Sequence, residues 1–94
     1  DPGQTVDWTD LWIRCVREAS QAAALVLIRR DQEALKGALV EVGAALANGV
    51  PVLAVGIDDL SVRHHPGVML CADEATAWSG ALRIVENLRR RSTI

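Results

Sequence analysis

Glu41 is the residue of this chain best placed to do chemistry. It is the sole charge between Lys36 and Asp58, in a span otherwise built of glycine, alanine, aliphatic residues, Asn48 and Pro51. A carboxylate in such a run is either pinned by a specific partner or kept for reaction, because an unpaired buried charge is too costly to persist. Three more candidate groups, Arg29, Arg30 and Asp31, directly follow the apolar run Ala24 to Ile28. An arginine there carries the planar fork that grips a phosphate bidentately. Its other reading is a solvated loop charge beside Asp31 and Glu33, in ion pairs worth about 0 to 1 kcal/mol. His64 and His65 are adjacent, so on an extended chain they point to opposite sides, and no third ligand stands at metal spacing. The sequence thus predicts no metal site, and His65 before Pro66 reads as a turn residue.

A helix must carry Glu41. Gly37 opens it, Asn48 and Gly49 close it by accepting left-handed backbone angles, and Val50-Pro51 forbid continuation. Glu41 then lies in the first turn or two, where exposed N–H groups favour a negative charge by about 0.3 to 1 kcal/mol. The apolar stripe of this helix is Leu35, Leu39, Val42 and Leu46, while Glu41 shares its face with Gly37, Ala44, Ala45 and Asn48. Small residues there let a second backbone, a partner helix or a flat ligand come close.

The runs Ala24 to Ile28 and Pro51 to Val55 are apolar without alternation, as strands of a parallel sheet buried on both faces are. A third short strand is expected at Gly67 to Cys71. A first helix, capped by Asp7, runs from Trp8 to about Ala22 with Trp8, Leu11, Trp12, Cys15, Val16 and Ala19 on one stripe. The stripe makes the tryptophans core or interface anchors rather than base-stacking platforms. Asp73 caps a last helix whose inner face is read as Ala77, Trp78, Ala81, Leu82, Val85 and Leu88. This order predicts an α/β fold of three layers, Rossmann-like or flavodoxin-like, with a short parallel sheet of about three strands. Residues 1–94 form one domain in this reading, and residues 1–6 an arm. Ligands of open α/β sheets sit outside the carboxyl ends of the strands. Arg29, Arg30, Asp31 and Glu41 are therefore expected to face one crevice, with Gly56 ending the second strand at the same edge.

The motif Gly37-x-x-x-Glu41-x-Gly43-x-Ala45, followed by Gly49-x-Pro51-Val52, resembles the central motif of the nucleoside 2-deoxyribosyltransferase-like family, which includes deoxyribonucleoside monophosphate N-glycosidases. The resemblance spans roughly residues 8 to 56. It implies that Glu41 is the nucleophile that attacks the anomeric carbon of the sugar. The expected activity is hydrolysis or transfer at the N-glycosidic bond of a small-molecule nucleoside or nucleotide. Loop position then offers Arg29 and Arg30 as holders of a phosphate or sugar oxygen, and Asp31 as the acid for the departing base. Gly37 and Gly56 complete the expected substrate-binding set. Such a two-step displacement needs no metal or redox cofactor. The competing readings are a catalytically silent nucleotide-binding or oligomerisation module of the same fold, and an NAD-consuming domain with a catalytic glutamate.

Composition bounds the partners. Half of the 94 residues are hydrophobic, yet Phe and Tyr are absent, so the core is expected from Val, Leu, Ile, Ala and the three tryptophans. A net charge of −2 gives no general attraction to nucleic acid, and the lone cluster Arg89-Arg90-Arg91 suits the carbonyl end of a helix better than a nucleic-acid patch. No apolar run approaches the roughly 20 residues that span a bilayer. Cys15 and Cys71, far apart and without metal spacing, predict free thiols and a cytoplasmic protein. Finally, nothing before Trp8 reads as a strand to cover Ala24 to Ile28. A bare apolar edge is avoided in natural sheets, so the chain is expected to be a homodimer or higher homo-oligomer.

Overall fold

The computed structural model of the protein describes residues 7–30 and 35–92. Its elements are α1 (Trp8–Gln21), β1 (Leu25–Ile28), α2 (Lys36–Ala47), β2 (Val52–Val55), a 3-10 turn (Ser61–His64), β3 (Val68–Leu70) and α3 (Glu74–Ser92). The strands form one parallel sheet in the order β1-β2-β3. Val26 lies opposite Leu53 in the first pair, and Leu53 opposite Met69 in the second. This is the expected three-layer, Rossmann-like α/β architecture.

Local chemistry sets the element ends. The Asp7 carboxylate accepts from the amide of Asp10 at 3.1 Å, and that of Asp73 from the amide of Thr76 at 2.8 Å, so each satisfies an orphan donor of a helix start. At the end of α2, Gly49 takes φ +74. Its amide donates to Leu46 O at 3.2 Å while the Val50 amide donates to Ala45 O at 2.9 Å. These paired bonds turn the chain back toward β2, and the left-handed angle is why glycine stands there. His65 is a turn residue, its Nδ1 accepting from the amide of Gly67 at 2.9 Å.

Strand alternation divides the core between two faces. Leu25, Leu27, Val52, Ala54 and Val68 pack with Ala38, Val42 and Ala45 of α2, and Leu60 and Val62 of the β2–β3 connection join them. On the other face Val26, Leu53 and Val55 pack with Ala77, Ala81 and Ile84 of α3. The central strand is buried through Val52, Leu53 and Ala54, whereas in β1 and β3, which form the edges, only Leu27 is buried. Both-face burial therefore holds for β2 and not for β1.

The expected tryptophan core is corrected. The buried residues are alanines, leucines, valines and one isoleucine; Trp8, Trp12 and Trp78 are all exposed, Trp8 at 65%. On α3 the sheet-facing stripe is Ala77, Ala81 and Ile84, and Trp78, Leu82 and Leu88 lie outside it. The cause is close approach. A Cβ on Gly80 would come within 2.6 Å of Leu53 Cδ2, so the helix seats its smallest residues on the sheet and its bulky ones fall to the flanks. In α2 likewise Val42 and Ala45 are buried, while Leu39, assigned to the stripe, is exposed. Cys15 and Cys71 are half-buried free thiols. No helix among the described residues is long and apolar enough to cross a membrane.

Candidate functional site

Glu41 stands on the flank of α2 that meets α1. Both helices are narrow along this seam: Gly37 lies under the ring edge of Trp12, where a Cβ would be 3.3 Å from Cη2, and Ala19 of α1 is buried. The small-residue face around Glu41 is thus occupied by a helix of the same chain. Where the two helices part, Cys15, Glu18, Ala19, Ala22, Leu25 and Glu41 line an open crevice of about 200 Å³. Among the described residues no hydrogen bond or ion pair reaches the Glu41 carboxylate, which is half-buried.

Glu18, which the sequence does not single out, places a second carboxylate on the same crevice. The signal was present, because Cys15, Glu18, Ala19 and Ala22 recur at i, i+3, i+4 and i+7 and so share one helix face. Nothing in the sequence said that this face would meet Glu41.

Arg29 and Gly56 form a separate group at the carboxyl ends of β1 and β2. The Arg29 amide donates to Val55 O at 3.0 Å, and its guanidinium Nη1 meets Asp59 Oδ1 at 2.6 Å, with only 10% of the side chain exposed. This charge-assisted bond from Arg29, together with a backbone bond at Asp59 itself, holds the Asp59 carboxyl below its usual range. Gly56 takes φ +81, and a Cβ there would lie 2.4 Å from Arg29 O, so glycine is required by the packing of the two strand ends. Arg30 pairs with Glu74 at the start of α3. Asp31 lies outside the described residues.

The structure brings Arg29 and Gly56 together and puts neither in the crevice of Glu41, whose lining includes Leu25 at the start of β1. From Leu25 to Arg29 the strand advances by about 13 Å. The sheet order also advances β1-β2-β3 without reversal, so among the described residues there is no switch-point cleft to gather the two groups. Among the described residues no group of three His, Cys, Asp or Glu side chains is arranged to hold a metal ion. No protein-family model, curated protein or solved structure matches the chain.

Proposed function

We propose that the chain hydrolyses or transfers at the N-glycosidic bond of a nucleoside or nucleotide, with Glu41 as nucleophile. The observation that carries this reading is the Glu41 carboxylate itself, without a protein partner among the described residues and lining an open crevice. An ion pair weakens a carboxylate as a nucleophile, and among the described residues none competes for Glu41. Attack by a Glu41 oxygen on the anomeric carbon forms a glycosyl ester as the carbon–nitrogen bond breaks and its electron pair leaves with the base. Glu18, which lines the same crevice, or water supplies the proton the base takes; Asp31, the acid offered by loop position, lies outside the described residues. Water or a second base then attacks the same carbon and frees the carboxylate. The resemblance of the motif around Glu41 to that of the nucleoside 2-deoxyribosyltransferase-like family supports the same assignment. Arg29 and Arg30 would hold a phosphate only by exchanging Asp59 and Glu74 for it. The two thiols fit a reducing, cytoplasmic setting.

One observation favours the silent module: the arginines meet carboxylates of their own chain and stand at the far end of β1 from Leu25. Free base released from common deoxynucleosides and their monophosphates separates the readings. The enzyme reading predicts release by the unaltered chain and none by Glu41→Gln; absence of release across the panel supports the silent module.

A further inference from the structure

The backbone groups that β1 leaves unused are set by its pairing. Its Leu25 and Arg29 amides donate to the carbonyls of Pro51 and Val55, at 2.9 and 3.0 Å. Because a strand alternates, the N–H and C=O groups of Val26 and Ile28 point away from β2. Among the described residues no strand pairs with that edge. Beside it, on the α3 face, Ala24, Val26, Trp78, Ala81, Leu82 and Val85 line an apolar groove of about 420 Å³. Trp78 is 54% and Leu82 63% exposed. An unpaired apolar edge with an apolar groove along it is a template for another strand.

We propose that this strand is β1 of a second copy, running antiparallel and joining the two sheets into one of six strands about a two-fold axis at Leu27. The inference stands on the edge of β1 and does not depend on the proposed activity. Two features select a second copy. First, the edge is self-complementary: Val26 and the partner's Ile28 exchange both backbone bonds, the symmetric pair repeats them, and Leu27 lies on the axis facing its own equivalent. Second, the two-fold places both copies of α3 on one face, so the exposed Trp78 and Leu82 beside the edge close over the new strand pair. The same operation thus covers the exposed apolar side chains and the open backbone groups.

Sedimentation velocity and amide hydrogen exchange on the 94-residue chain at micromolar concentration test this together. The expected result is twice the 10.1 kDa chain mass, with the Val26 and Ile28 amides as protected as those of Leu25 and Leu27. The double variant Trp78→Glu, Leu82→Glu changes side chains that are already more than half exposed, so circular dichroism should be unchanged. Its mass should halve, and Val26 and Ile28 should lose protection while Leu25 and Leu27 keep theirs. A folded monomer of the unaltered chain overturns the proposal, whether its edge amides exchange freely or are covered by another segment. A dimer that survives the double variant with those two amides exposed overturns it as well, by assigning the interface to another face.

Discussion

Gly56 shows how little freedom single positions at the strand ends have. Its φ of +81 disfavours any side chain, and a methyl group would press to 2.4 Å from Arg29 O, which is backbone and cannot swing aside. Gly56→Ala should therefore cost at least about 1 to 3 kcal/mol, read as a fall in the denaturation midpoint with unchanged slope. Gly37 is the milder case, since its neighbour is the edge of a Trp12 ring at 3.3 Å. Gly37→Ala should be tolerated, whereas Gly37→Leu should separate α1 from α2 and destabilise by more than about 1 kcal/mol. Glu41 has no partner among the described residues to lose, so Glu41→Gln should change stability by no more than about 0.5 kcal/mol. A larger loss in chemical denaturation would mean that the carboxylate is structural. The isolation of Glu41 was legible in the sequence because charge spacing is a local property. Its distance from Arg29 was not, because that depends on where β1 starts against α1.

One helix cap and one ion pair carry the acid sensitivity that can be assigned at the scale of elements. The amide and hydroxyl of Thr76 hold the Asp73 carboxyl below its ordinary value of 3.8, and Arg29 does the same for Asp59. A lowered folded pKa means that each contribution is fully present above the unfolded value and is lost as pH falls through the folded one. Stability should thus decline from about pH 4 downward. Asp73→Asn, which retains a capping oxygen but does not titrate, should flatten part of that decline in thermal melts taken between neutral pH and pH 2. An unchanged acid profile would show that the cap does not form in solution. The caps at Asp7 and Asp73 and the turn at Gly49 were readable beforehand because each is a short-range backbone requirement met by particular residue types. The inner face of α3 was not. Periodicity placed Ala77, Trp78, Ala81 and Leu82 on one side, and only the close seating of Gly80 over Leu53 decides that the alanines face the sheet.

For the whole molecule, the order of strands and helices followed from apolar runs and their breakers, so the three-layer fold was visible in the sequence. Two linkages were not, Arg29 to Asp59 and Arg30 to Glu74, because each joins residues at least thirty positions apart through the packing of finished elements. Cys15 and Cys71 are free and half-buried, so thiol titration of the denatured chain without reductant should find both; finding neither would show that they pair in a disulfide. The proposed reaction requires a glycosyl ester to form at Glu41. It is tested most directly by intact-mass and peptide mass spectrometry of the chain quenched in acid during incubation with a deoxynucleoside or its monophosphate. Attack by Glu41 should leave a deoxyribosyl or phosphodeoxyribosyl adduct on the peptide containing Glu41, absent from Glu41→Gln. Base release without any adduct on that peptide, or an adduct on another residue, would contradict it.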